Sequence, residues 1–166
     1  MTGSHLLVTT SRIKAEMTNI QRLLLGLEER GLLSDSVQRK NKLMDEFILR
    51  AVGSVLHDFY TSVENVFKIV ARNIDGLLPE SNEWHVELLN QMSIAITKVR
   101  PVVINKKTRD LLNEFRGFRH IFRNIYGFNL IRERLEHLLE LLPQTVEFLE
   151  TDINHFIEEI GEIITN

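Results

Sequence analysis

The spacing of apolar residues constrains the fold of this chain more than any other feature of its sequence. Across most of the 166 residues, leucine, isoleucine, valine and phenylalanine recur every three or four positions, which is the period of one face of an α-helix. Helix-breaking proline occurs only three times, at Pro79, Pro101 and Pro143. The pattern predicts an all-α protein, built as an antiparallel up-and-down bundle of four to five helices.

Length and composition limit the class of protein. A chain of 166 residues with 43% hydrophobic content predicts one globular domain over residues 1–166. The absence of cysteine excludes disulfides and thiolate metal sites. No signal peptide is recognisable, and no run approaches the roughly 18 apolar residues that a membrane span requires. We therefore expect a cytoplasmic protein that does not associate with membranes.

Helix start and stop signals set the predicted boundaries in the first half of the chain. A first helix over residues 10–30 would be closed by Gly31. A second helix would begin at the N-cap residues Ser34 or Asp35 and continue to about residue 75, with Gly53 as the place for a bend. A third helix is predicted over residues 82–97.

The second half of the chain contains two further predicted helices. After a linker over residues 98–107, Thr108 would cap a helix over residues 108–128, which Gly127 and Asn129 would close. The last helix follows, and Pro143 would either kink it or begin a new helix at its first position.

Charge is distributed unevenly along the chain. From Lys98 to Arg134 there are ten lysine or arginine residues against three acidic ones, whereas from Leu135 onwards there are eight acidic residues and no lysine or arginine. The first zone would attract polyanions and the second would repel them. A solvated helical face without a ligand would give the same distribution.

The basic zone includes one segment of unusual composition, residues 115–126, which read FRGFRHIFRNIY. At roughly 100° per residue, its polar side chains share one helix face: Arg116, Arg119, His120, Arg123, Asn124 and Tyr126. The opposite face is apolar and is predicted to be buried: Leu111, Phe118, Ile121, Phe122, Ile125 and Phe128. Arginine offers planar, permanently charged donors, so the polar face suits phosphate. We call the helix that carries it the motif helix.

The order of helices and this motif resemble the HEPN superfamily, and within it the HepT-like ribonuclease toxins. The resemblance also includes residues 64–67 (ENVF) and 82–85 (NEWH). The family motif has Arg, a polar residue that is often Asn, three more residues, then His, any residue and Tyr. In this chain the matching positions hold Arg119, His120, Asn124 and Tyr126, so His and Asn have exchanged places. A second register pairs Arg116 with His120 at i and i+4.

The resemblance implies metal-independent RNA cleavage, without a cofactor. This reaction requires a base for the 2′-hydroxyl proton and an acid for the leaving oxygen, and histidine can serve as either near pH 7. Asn124 cannot transfer protons in this way, whereas His120 can. Arg119 would stabilise charge on the phosphate, with Arg116 and Arg123 as phosphate-binding residues.

The resemblance also implies partners. In the family, two motif helices face each other across a symmetric homodimer, so one histidine per chain gives two per site. A nucleotidyltransferase-type antitoxin can attach AMP to the motif tyrosine, here Tyr126. The added charge and bulk would keep RNA out of the cationic groove.

Alternative interpretations remain open at the level of the sequence. Glu64 on the long second helix is a candidate internal partner of Arg119, and such an ion pair would make the arginine cluster architectural. The exchange of His and Asn would then leave a non-catalytic module that binds a partner protein or a nucleotide, or a plain structural bundle. Trp84 is expected to anchor the third helix in the core, with His85 exposed. Metal binding is not predicted, because no two histidines stand at i and i+4.

Overall fold

The computed structural model of the protein describes residues 3–124 and 131–165. Over these ranges the chain forms six α-helices and one π-helical turn: α1 (Gly3–Glu28), α2 (Ser36–Lys42), α3 (Glu46–Val70), the π-turn (Ala71–Asp75), α4 (Trp84–Met92), α5 (Lys106–Asn124) and α6 (Arg132–Thr165). Within the same ranges the only β-type pairing is an isolated bridge between Ile96 and Arg100. The prediction of an all-α bundle is confirmed.

Helix α3 lies at the centre of the bundle and packs against α1, α4, α5 and α6. Its apolar positions recur with the helical period, so one broad face of the helix is buried: Val52, Leu56, Phe59, Val63, Val66, Phe67 and Val70. Helix α6 contributes a second apolar stripe from Leu135 to Ile160. Because α5 contacts both α3 and α6, the motif helix is fixed on two sides.

The prediction of one long helix from residue 35 to residue 75 is wrong. Asp35 caps α2, and a turn at residues 43–45 separates α2 from α3. Asp45 begins α3, and its carboxylate accepts hydrogen bonds from the N–H groups of Phe47 and Ile48. Phe47 therefore lies in the first turn of α3, where it is 81% exposed. The predicted bend at Gly53 does not interrupt α3, which is continuous there.

The third predicted helix ends at Met92 and not at residue 97. The cause is the buried side chain of Arg100, which folds back and donates hydrogen bonds to the carbonyls of Gln91 and Ile94. These carbonyls belong to the end of α4 and the residues after it, where helical bonding stops. The same guanidinium forms a bidentate ion pair with Asp75, at 2.6 and 2.9 Å, which ties this segment to the π-turn.

The other boundaries also differ from the predictions. Helix α1 begins at Gly3, seven positions before the predicted start at residue 10. Helix α5 is capped by the side chain of Asn105, which accepts from the Thr108 N–H, while the Thr108 hydroxyl donates to Asp152 on α6. Pro143 stands inside the continuous helix α6, so the alternative of a new helix beginning there is wrong. The predicted end of α5 at Gly127 and Asn129 lies outside the described residues.

Candidate functional site

The motif helix α5 is held on α3 by aromatic packing. Phe115 is fully buried, and its ring meets that of Phe59 edge-on, with 4.9 Å between the centroids. Phe118 is also buried, as predicted, and Phe122 is half-buried. Ile121 was predicted to be buried and is 52% exposed, because Leu112 and Phe115, not Ile121, complete the face turned towards α3 and α6. Two further predicted core residues, Ile125 and Phe128, lie outside the described residues.

One polar residue of the motif helix is directed towards α3. The Arg119 guanidinium Nη2 lies 3.1 Å from Glu64 Oε2, and its Nε donates a hydrogen bond of 3.4 Å to the Thr61 hydroxyl. The Glu64 side chain is only 1% exposed, and that of Arg119 is 12% exposed. A buried carboxylate needs a nearby positive charge, since desolvation disfavours an isolated ion. The ion pair that the sequence offered as an alternative is therefore present.

The other oxygen of Glu64 contacts a residue that the sequence analysis missed. His85, on α4, has its Nδ1 2.5 Å from Glu64 Oε1, and its side chain is 20% exposed. The expectation that His85 is exposed is wrong, because the turn before α4 directs its ring onto α3. The Trp84 ring lies against the imidazole with 3.4 Å between ring centroids and a tilt of 32°, and Lys68 Nζ lies 4.5 Å from the Trp84 centroid.

We call these five residues the Glu64 cluster: Glu64, Lys68, Trp84, His85 and Arg119. The cluster joins α3, α4 and α5 through one buried carboxylate. Lys68 Nζ is 4.0 Å from Glu64 Oε2, so three cationic or potentially cationic groups surround a single negative charge. The only sequence signal for the contact between Glu64 and His85 was that both segments, ENVF and NEWH, belonged to the family resemblance. No rule of residue spacing predicted that the two segments would be adjacent.

The environment determines the protonation of two groups here. Burial lowers the pKa of His85; the hydrogen bond to Glu64 and the negative charge of that carboxylate oppose the shift, and the positive charges of Arg119 and Lys68 add to it. The imidazole is therefore neutral at pH 7. Burial also raises the pKa of Tyr60, one turn before Glu64, so its phenol remains protonated.

The remaining predicted site residues are distributed along α5. His120 is exposed, and Arg116 is half-buried with its Nε donating to Asn113 Oδ1 at 2.9 Å. Arg123 and Asn124 belong to the last turn of α5, but their side chains are outside the described part of the structure. Tyr126 lies outside the described residues altogether. Of the predicted set, the structure thus brings Arg119 and Glu64 into contact.

Comparison with known proteins now identifies the family. A family model described as "HepT-like protein" matches residues 51–160, which is more than half of the chain. The chain belongs to the HepT-like family. Searches against curated proteins and against solved structures find no match. The matched range begins in α3 and ends in α6, so it contains both the Glu64 cluster and the described part of the motif helix.

Several cations of the basic zone in this HepT-like chain are neutralised internally. Arg100 is buried against Asp75. Arg134 Nη2 lies 2.8 Å from Glu114 Oε2, and Arg109 Nη2 lies 2.7 Å from its neighbour Asp110. The cationic surface is consequently smaller than the count of lysine and arginine predicts.

Two further properties of the described residues concern metal binding and membranes. No group of three histidine, aspartate or glutamate side chains is placed to hold a metal ion within residues 3–124 and 131–165. None of the helices in these ranges has the length and apolar character needed to cross a membrane.

Proposed function

We propose that this protein is the toxin-type member of a HepT-like toxin–antitoxin pair and that it cleaves RNA without a metal ion. The observation that supports the proposal is the family match over residues 51–160, which includes the motif helix up to its last described residue. The composition of residues 115–126 adds to it, since three arginines and a histidine in one helix suit a phosphodiester substrate.

The residues of the motif helix have distinct proposed roles. His120 transfers protons to or from the RNA, and its exposure on α5 makes it accessible to a polymer. Arg116 and Arg123 bind phosphate, and Arg119 stabilises the charge that develops on it. Asn124 occupies the position where the family motif has histidine, and its amide donates hydrogen bonds to phosphate.

Two partners belong to the proposal. A homodimer would place two copies of His120 in one site, which supplies an acid and a base from identical residues. A nucleotidyltransferase-type antitoxin would transfer AMP to Tyr126 and so exclude RNA by charge and bulk. Mass spectrometry of the protein after co-expression with a nucleotidyltransferase encoded beside it tests this modification, which adds one AMP to wild type and none to Tyr126→Phe.

The nuclease proposal is tested by incubating the purified protein with total RNA in EDTA. We expect cleavage by wild type, and loss of cleavage in His120→Ala and in Arg116→Ala. Arg116 is preferable to Arg119 for this purpose, because Arg119 also neutralises the buried Glu64. His137→Asn, an exposed histidine on α6, serves as the control and should cleave like wild type. Intact RNA in every sample, including wild type, would refute the proposal that the protein is a nuclease.

A second candidate function is a non-catalytic module that binds a partner protein or a nucleotide. The ion pair between Arg119 and Glu64 favours it, because it occupies one of the arginines that a nuclease site would use. This alternative predicts intact RNA in the same incubation, together with retained binding of the nucleotidyltransferase by wild type.

A further inference from the structure

We infer that His85 is a second proton-transfer residue of this site and that Glu64 orients its imidazole for RNA cleavage. The inference rests on the proposed nuclease function. It assigns the general base to a residue of α4, outside the motif helix, in place of a second copy of His120. The acid and the base then come from two different histidines of one chain, and the role of the homodimer in supplying the base is no longer needed.

The geometry defines the tautomer of His85. Glu64 Oε1 lies 2.5 Å from Nδ1, so a neutral imidazole carries its proton on Nδ1 and donates it to the carboxylate. The lone pair is then on Nε2, which has no hydrogen-bond partner among the residues that the structure describes. Hydrolases in which a carboxylate is hydrogen-bonded to the catalytic histidine use the same arrangement. The carboxylate fixes the tautomer and stabilises the imidazolium that forms.

The surroundings of the imidazole restrict it to this orientation. The Trp84 ring lies against the imidazole, tilted by 32°, and Glu64 is itself almost fully buried on α3. The His85 side chain nevertheless remains 20% exposed, so the imidazole is not closed off from solvent. Proton abstraction requires a base that is held in one orientation and that a substrate can reach, and an oriented, partly exposed imidazole suits this role.

Arg119 connects this base to the phosphate. Its Nη2 contacts Oε2 of Glu64 while His85 contacts Oε1, so the guanidinium and the imidazole lie against the two oxygens of one carboxylate. Arg119 Nη1 makes no hydrogen bond to a residue in the described ranges. The ion pair with Glu64 thus positions the guanidinium without using all of its donors, which leaves Nη1 to bind a phosphate.

The reaction balances with two histidines. His85 Nε2 takes the proton of the 2′-hydroxyl, and the 2′ oxygen attacks the adjacent phosphorus. The bond from phosphorus to the 5′ oxygen breaks, and that oxygen takes a proton from the His120 imidazolium. The products are a 2′,3′-cyclic phosphate and a free 5′-hydroxyl. Exchange with water then returns His85 to the neutral form and His120 to the protonated form.

The charges around His85 agree with the role of a base. Lys68 and Glu64 face it from α3, and Arg119 faces it from α5. Burial and the two cations lower its pKa, so it is unprotonated at neutral pH and ready to accept a proton. The wild-type rate should consequently have an acidic limb that reports the protonation of His85.

The test compares His85→Asn with wild type and with the control His137→Asn on a short RNA oligonucleotide in EDTA. The introduced amide can still donate to Glu64 from the position of Nδ1, but it cannot accept a proton. We expect His85→Asn to unfold at the wild-type temperature, to lose cleavage by about 100-fold or more, and to lose the acidic limb of kcat/KM. His137→Asn should retain both. In His85→Ala, added imidazole should restore cleavage in part.

The outcomes separate this inference from the proposed function. Cleavage by His85→Asn within threefold of wild type, with the same acidic limb, would overturn the role of His85 and leave the nuclease proposal standing. A lost activity that accompanies a lowered unfolding temperature, and that imidazole does not restore in His85→Ala, would also overturn it in favour of a structural role. Intact RNA with wild type would remove the nuclease proposal and this inference together.

Discussion

Arg119 on α5 and Glu64 on α3 form an ion pair of 3.1 Å whose carboxylate is almost completely removed from solvent. The pair fixes the rotation of the motif helix about its own axis, because Arg119 can reach Glu64 only when its face of α5 is turned towards α3. His120, the next residue along the helix, is then directed to the surface. The contact that neutralises the charge of Arg119 therefore also orients its neighbour.

Replacing Glu64 with Gln should destabilise the protein strongly. The amide preserves the shape of the side chain but removes the negative charge, which leaves the Arg119 guanidinium partly buried without its counter-charge. We expect the free energy of unfolding to fall by about 3 kcal/mol, as for other buried pairs that lose one partner. Urea unfolding measures the change.

The control for that measurement is Glu114→Gln. Glu114 pairs with Arg134 at 2.8 Å, but both side chains are about 40% exposed, so solvent screens the interaction. Its loss should change the free energy of unfolding by less than about 1 kcal/mol. Equal effects of the two substitutions would contradict a stabilising ion pair between the buried Glu64 and Arg119.

A second buried ion pair should be equally important for stability. Asp75 accepts two hydrogen bonds from Arg100, and the exposed fraction of each side chain is at most 1%. Asp75→Asn leaves the Arg100 side chain buried against carbonyls alone. We therefore expect the free energy of unfolding to fall by about 4 kcal/mol, as measured by denaturation with guanidinium chloride. Asp110→Asn, in an exposed pair with Arg109, should cost less than about 1 kcal/mol. A small effect at Asp75 would contradict the bidentate geometry.

The helices were predictable where the local spacing of apolar residues determines them. The apolar stripe of α3 from Val52 to Val70 follows the helical period, and its burial agrees with the prediction. The end of α4 was not predictable, because it depends on Arg100 returning from beyond the helix to bind Asp75 and two carbonyls. Such contacts between distant segments leave no mark on local periodicity.

The candidate site was likewise predictable only where local sequence determines it. Helical geometry placed Arg119 and His120 on the polar face of one helix, and charge suggested Glu64 as a partner. No local pattern in the sequence indicated that His85 would contact the same carboxylate, because the position of α4 on α3 is set by tertiary packing. A histidine next to a tryptophan is ordinary in sequence; only the fold brings its Nδ1 to Glu64.

The separation of α2 from α3 can be tested through the helix cap at Asp45. Its carboxylate accepts from two N–H groups at the start of α3, and Leu43, at the beginning of this turn, is fully buried. Asp45→Ala should lower the free energy of unfolding by about 1 kcal/mol, whereas Asp45→Asn, which retains the acceptor, should cost less. If alanine is neutral, or raises helicity measured by circular dichroism, the chain favours the continuous helix that the sequence predicted.

The lowered pKa of His85 gives a pH dependence with a definite sign. In the unfolded chain histidine titrates near pH 6.5, whereas in the folded protein burial and the charges of Arg119 and Lys68 lower its pKa below that value. Between the two values the unfolded state binds more protons, so the contribution of His85 to stability falls as the pH drops below about 6.5 and is constant above it. His85→Asn removes this titration while keeping a donor for Glu64. The free energy of unfolding of wild type minus that of His85→Asn should therefore decrease from pH 7 to pH 5 in urea titrations. An increase over the same range would mean that the hydrogen bond to Glu64 outweighs burial and that folded His85 is protonated at acidic pH more readily than the unfolded residue.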